Sequence, residues 1–215
     1  MATQSLAPAP PHNTPQIQRL RGLVSDVTRH SEETGTHLRR VCGLSVRLGR
    51  RLGLGRGELA ALRYGALLHD IGKKFIADDI LHKKAPLDDL EFAIMKSHCE
   101  LGASHARGHG FVPEVVSIIL SHHERYDGSG YPHGLRGESI PLGARIISVV
   151  DACDTIMHER AYQHARPYEE AQSELVRCAG MQFDPRLSEI YSEVLAEVAG
   201  RQGWGADEPR AGFVS

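Results

Sequence analysis

Apolar residues recur at helical spacing along nearly the whole chain, and no convincing strand-like alternation appears. Ile17, Leu20, Val24 and Val27 form one stripe, and Val41, Leu44, Leu48 and Leu52 another. The same period predicts helices over about 57–69, 88–107, 112–124, 141–157, 167–180 and 185–199. Two of these are apolar almost all round. Val115, Val116, Ile118, Ile119 and Leu120 mark one, and Ile146, Ile147, Val149 and Val150 the other. Such helices sit among other helices, with no face left for water. Gly53, Gly55 and Gly57 punctuate one junction, and the 125–140 stretch another. The expected fold is all-α, a compact bundle of about seven to eight helices.

Composition trims this picture at both ends. Pro8, Pro10, Pro11 and Pro15 lie among Ala, Ser, Thr and Gln, so residues 1–15 are expected to be a disordered leader. Glycine and proline return after about residue 200, which predicts a flexible tail over 200–215 and a domain over 16–199. The 215 residues suit one domain with a substantial core. A formal charge of -2 argues against bulk electrostatic capture of DNA or membrane. Cys42, Cys99, Cys153 and Cys178 are far apart and form no C-x-x-C pair. They read as free thiols in a reducing compartment. With no secretory signal pattern and no run of eighteen apolar residues, a cytoplasmic protein is expected.

Thirteen histidines are the compositional oddity, and several fall where the pattern points inward. Glu33 and His37 share a helix face that continues through Val41, Leu44 and Leu48. An interior Glu–His hydrogen bond would account for them, and so would a metal. His69–Asp70 ends the apolar run Ala66–Leu67–Leu68. His98 follows Phe92, Ile94 and Met95, as a satisfied core histidine would. His122–His123 closes a strongly apolar helix, and Asp151 follows Val149–Val150 in another. Buried carboxylates are costly unless paired or metal-bound. Eight candidates on several inward-facing helices are how bundle metal sites are built. Their mixture of imidazole and carboxylate suits iron or manganese better than a Cys-rich structural zinc site. Their number suggests more than one ion, suited to activating water.

The order of these residues carries a resemblance. His37–Leu38–Arg39–Arg40–Val41, then His69–Asp70–Ile71–Gly72–Lys73, His98, the run from His122 through Gly128, Gly130, Tyr131 and Pro132, and Asp151 reproduce a long, ordered signature. The chain resembles the HD-GYP family, metal-dependent phosphodiesterases of bacterial cyclic dinucleotides, from about Glu33 to Pro185. The resemblance implies an HD-domain-type helical bundle. It implies His37, His69, Asp70, His98, His122, His123 and Asp151 as metal ligands, with Glu33 marking a third metal position in its Glu-Thr-Gly-x-His context. It further implies two or three divalent ions, Fe or Mn. Asp70 and Lys73 become catalytic, and Lys73, Arg160 and Tyr131 contact the substrate.

The activity so implied is hydrolysis of cyclic di-GMP to linear pGpG, and in a three-ion member onward to GMP. Another cyclic dinucleotide such as cyclic GMP-AMP, or a non-hydrolytic dinucleotide-binding module, are the alternatives. Regulatory or GGDEF-type protein partners and a homodimer belong to the same expectation. The chain departs from the family where Gln163 replaces the usual Lys or Arg, and where Met157–His158–Glu159–Arg160–Ala161–Tyr162 replaces Thr-Ser-Asp-Arg-Pro-Tyr. Ala77 and Lys84–Ala85 are further departures. Asp154 and Asp184 match family positions and read as supports rather than ligands.

Overall fold

The computed structural model describes residues 32–158 and 166–201, together with Gln18, Gly22, Leu23 and Ser25. The expected leader, the tail beyond 201, Arg160 and Gln163 lie outside the described residues. Helix α1 (Glu32–Arg51) is followed by α2 (Arg56–Leu68), a 3-10 turn over Ile71–Phe75, and the single-turn α3 (Asp78–Leu81). Then come α4 (Asp89–Lys96), α5 (His98–Gly108), α6 (Pro113–Ser121), a second 3-10 turn (Gly137–Ser139) and α7 (Leu142–Met157). The series ends with α8 (Tyr168–Cys178) and α9 (Pro185–Arg201). The expected all-α bundle holds. Among the described residues the only β feature is an isolated bridge between Ala179 and Phe183.

Local chemistry explains the boundaries. Arg50 and Arg51 occupy the last turn of α1, where cations complement the helix dipole. At α2 the Gly55 N–H donates to Glu58 Oε2 at 2.8 Å, satisfying one free end group. Asp88 and Glu91 form a full capping box at the start of α4. Pro113 opens α6 in the first turn, where a missing N–H costs nothing.

The predicted 88–107 helix is broken at Ser97. The Ser97 hydroxyl donates to Ile94 O at 2.6 Å and its N–H to the same carbonyl at 3.0 Å, closing α4 one residue before α5 begins. Periodicity alone cannot show such a break, because both pieces keep the same apolar face.

The core runs along α7, where Ala144, Ile146, Ile147, Val149, Val150 and Cys153 are buried. It packs against α1, α2, α6, α8 and α9. Val115, Ile118 and Ile119 of α6 meet Leu62, Ala66 and Leu67 of α2 within the same core. Truncating Ile119 or Ile147 to alanine would cost about 2–5 kcal/mol. All four cysteines are buried and free, and burial pushes the Cys42 thiol up to about 11. Among the described residues no helix is long and apolar enough to cross a membrane.

Candidate metal centre

Three helices deliver their histidines at their C-terminal ends, by one device. His69 terminates α2, His122 terminates α6, and His98 follows the Ser97 end of α4. The last carbonyls of a helix have no partner within it. His69 Nδ1 lies 2.9 Å from Ala66 O, His98 Nδ1 2.7 Å from Met95 O, and His122 Nδ1 2.7 Å from Ile119 O. A carbonyl can only accept, so each Nδ1 carries the proton. With the proton on Nδ1, the Nε2 of each ring is directed away from its own helix end, the side a metal ligand must offer.

Those lone pairs converge. His98 Nε2 and His122 Nε2 are 3.4 Å apart, and Asp70 Oδ1 lies 3.5 and 3.8 Å from them. Burial pushes the His98 and His122 imidazoles below their ordinary values, the latter far below. Burial also takes His123 down to about 4. These contacts therefore join acceptor to acceptor and are not ion pairs. His69 Nε2 and Asp70 Oδ1 are buried with no hydrogen-bond partner among the described residues. Buried lone pairs that face one another cost of order 1–3 kcal/mol per unsatisfied group unless a cation joins them. The donor set fits a divalent metal on this physical ground.

Asp70, His98, His122 and His123 can offer atoms to one ion, and His37, His69 and Asp151 to a second. Asp70 joins the two groups, since its Oδ2 lies 3.5 Å from His69 Nε2. Burial works against the Asp70 carboxylate, but the neighbouring Lys73 holds its pKa well below the usual range. Lys73 Nζ sits 2.7 Å from Asp70 Oδ2, with its side chain 36 % exposed, at the edge of the centre.

The second group is built differently. His37 Nε2 is 3.1 Å from Asp151 Oδ1, and its Nδ1 is 2.6 Å from Asp154 Oδ2. Burial alone would lower the His37 pKa, but the bonds to Asp151 and Asp154 outweigh it and raise it to about 9. Burial opposes Asp151 in turn, and the His37 bond takes its carboxyl down to about 2. Asp154 is itself clamped by Arg40, through Nε at 2.7 Å and a second guanidinium nitrogen at 3.0 Å. It touches His158 Nδ1 at 3.1 Å.

Close backbone approach explains two motif glycines. A Cβ on Gly72 would lie 1.9 Å from His98 O, so only glycine lets the segment after Asp70 pass against α5. A Cβ on Gly130 would lie 2.2 Å from Arg125 N. The loop that this permits carries Tyr131, whose ring lies 4.9 Å from His123. Glu124 is buried and accepts from His133 N at 2.7 Å and Leu135 N at 3.0 Å, pinning the loop. Glu124 and Arg40 stand within the motif runs, but neither motif shows what they bind: Glu124 grips a loop nine to eleven positions on, and the partner of Arg40 is 114 positions away.

Seven of the eight expected ligands therefore stand together, with Lys73 and Tyr131 beside them. Glu33 lies in the first turn of α1, and its side chain is outside the described part of the structure. Arg160 also lies outside it. Asp184 is no part of the centre. It holds Arg145 at 2.6 Å and caps α9 through Arg186 N at 2.9 Å.

An HD domain profile matches residues 9–187. The chain belongs to the HD domain family. Its relatives in this family sharpen the resemblance drawn from the motifs. The chain is 36 % identical over 168 residues to a cyclic di-GMP phosphodiesterase of Thermotoga maritima, covering 77 % of this chain and 46 % of the relative. It is 39 % identical over 155 residues to the cyclic di-GMP phosphodiesterase response regulator RpfG of Xanthomonas campestris, covering 71 % and 41 %. It is 36 % identical over 173 residues to 3'3'-cGAMP-specific phosphodiesterase 2 of Vibrio cholerae, covering 80 % and 33 %. The chain thus spans less than half the length of these HD domain relatives. The crystal structure of the V. cholerae cyclic GMP-AMP phosphodiesterase V-cGAP3 superposes with a TM-score of 0.66 at 24 % identity, over 88 % of this chain and 50 % of that one, which shows the common fold.

Proposed function

We propose that this HD domain is a metal-dependent phosphodiesterase that opens cyclic di-GMP to linear pGpG and, with a third ion, onward to GMP. The observation that carries the reading is the pair of adjoining donor groups sharing Asp70, with the Lys73 ammonium at their edge. Asp70, His98, His122 and His123 would hold one ion, and His37, His69 and Asp151 a second, with Glu33 offered to a third. The mixed imidazole and carboxylate set favours iron or manganese. When bound, such ions polarise a phosphoryl oxygen and lower the pKa of water.

The side chains divide the remaining work. Lys73 reaches the edge of the centre as a compact positive charge, placed to pair with a phosphate oxygen and to protonate the leaving oxygen. Burial pushes the Tyr131 phenol up, so it stays a hydrogen-bond donor beside His123. Arg160 supplies a further phosphate contact by the family resemblance. The four buried free thiols support a reducing, cytoplasmic setting. A regulatory or GGDEF-type partner and a homodimer extend the same reading, the dimer being testable by light scattering.

Cyclic GMP-AMP is the second reading, favoured by the likeness to the V. cholerae cGAMP-specific enzyme over 80 % of this chain. The test is anaerobic turnover of both dinucleotides by protein loaded separately with ferrous iron and manganese, with products separated chromatographically. Linear dinucleotide or GMP, lost on Asp70→Ala, is the expected result. Bound metal with no turnover of either compound would overturn the proposal in favour of a binding module.

A further inference from the structure

Helix α4 buries none of its residues. Leu90, Phe92 and Ile94 are all exposed, Phe92 at 46 %. The attachments of its first turn are polar. Asp88 N donates to Glu91 Oε2 at 2.8 Å, Glu91 N donates to Asp88 Oδ1 at 2.9 Å, and the Lys83 ammonium pairs with Glu91. Core packing therefore gives no reason for an aromatic residue at 92.

The ring is nevertheless held in one place. Phe92 meets Tyr131 edge to face with centroids 6.3 Å apart, and Lys96 Nζ stands 5.0 Å from its centre. Tyr131 lies against His123 at 4.9 Å with a tilt of 31°. His123 packs in turn on His122 at 4.1 Å and on His98 at 5.1 Å. A continuous series of rings thus runs from the buried donor atoms of the centre out to an exposed phenyl group.

We propose that Phe92, braced by Tyr131 and Lys96, is the stacking wall for a purine base of the cyclic dinucleotide. The inference rests on the phosphodiesterase reading above and adds a residue that sets affinity for the base. A purine is tied to its phosphate through one ribose, so a phosphate held at the centre carries its base to the rim where Phe92 stands. Every base has a π face, and stacking on an aromatic side chain tolerates guanine and adenine alike. Lys96 adds a cation at the same ring. Phe92 takes no part in bond cleavage, so its loss acts on KM.

Because the side chain is exposed and its helix buries nothing, Phe92→Ala leaves the fold and the metal content unchanged. The expected result is a KM for cyclic di-GMP raised about five- to a hundredfold, with kcat near wild type and KM restored by Phe92→Trp. An unchanged KM in Phe92→Ala, with wild type turning over, overturns the inference and leaves Phe92, Lys96 and Tyr131 a surface cluster. A second readout does not need turnover. In the variant Phe92→Trp with Trp204→Phe, the single indole is quenched on titration with cyclic di-GMP and not with inorganic phosphate. If wild type hydrolyses no dinucleotide, the functional proposal fails, and the presence or absence of this quenching alone decides whether Phe92 stacks on a base.

Discussion

In the group formed by Asp70, His98, His122 and His123 the imidazoles are neutral, and the Nε2 atoms of His98 and His122 face one another. In the group formed by His37, His69 and Asp151, one imidazole carries a proton between two carboxylates. The same residue types stand a few ångströms apart in opposite electrical states. The difference comes from what the ring nitrogens meet. A helix-end carbonyl fixes a tautomer without adding charge, whereas Asp151 and Asp154 set a carboxylate at each nitrogen of His37. The first group is thus ready for a cation, and the second must give up a proton to take one.

The largest effect should come from the residue that joins the halves. Asp70→Ala removes the only carboxylate of the first group and the contact to His69. Both ions are lost, and turnover falls by about a thousandfold or more. Metal analysis of the purified variant checks this. One ion retained at full occupancy would show that the halves do not share Asp70. Gly72→Ala should break the first half alone. The new methyl group would overlap His98 O, costing about 1–3 kcal/mol or more in denaturant unfolding and pushing His98 out of line. His37 and Asp151 are untouched, so one ion should remain bound.

How much of this was legible beforehand can be read from single residues. The helical period along 112–124 and 141–157 gave α6 and α7, since their apolar residues need no knowledge of partners to be recognised as buried. The family signature named His98 and Asp151, which isolated reading would have left as an ordinary core histidine and a costly carboxylate. The break at Ser97 was hidden, because a side-chain hydroxyl competing for a backbone carbonyl leaves no trace in periodicity. The opposite protonation of the halves was hidden too. It depends on Asp154 reaching His37 across 117 positions, with Arg40 gripping the same carboxylate. Phe92 falls within the apolar period that predicts a helix over 88–107, which carries no sign of its exposure.

Asp154→Asn separates the halves more gently. The asparagine keeps the shape, but its amide nitrogen would meet either Arg40 or His37 Nδ1 as donor against donor. Donation to Nδ1 would leave the His37 proton on Nε2, the wrong tautomer for a ligand. The second ion should bind about 10–100-fold more weakly with the first unchanged, as measured by calorimetric titration of stripped protein. The same titration run against pH compares the halves in the wild type. His37 has its pKa raised to about 9, so below that value a proton competes with the ion. Affinity of the second site should fall as pH falls, by up to about tenfold per unit between pH 9 and 6. The His98, His122 and His123 imidazoles have lowered pKa values, so a proton competes less with the ion there. First-site affinity should therefore fall less steeply than second-site affinity. Parallel slopes for both ions would remove the electrical distinction.

The smallest effect should come from His158, which stands where the family signature has serine. Its Nδ1 lies 3.1 Å from Asp154 Oδ1 and 3.0 Å from Asp154 O, at the C-terminal end of α7. Asp154 already receives Arg40 twice and His37 once, so His158 is one support among several. A hydroxyl in its place can still bond the Asp154 carbonyl, which also accepts the backbone N–H of residue 158. His158→Ser should weaken the second ion less than tenfold and leave the first alone, well short of Asp154→Asn. If it instead matched Asp154→Asn, Arg40 would not be what holds the carboxylate, and the charge behind His37 would depend on the residue in which this chain leaves the family signature.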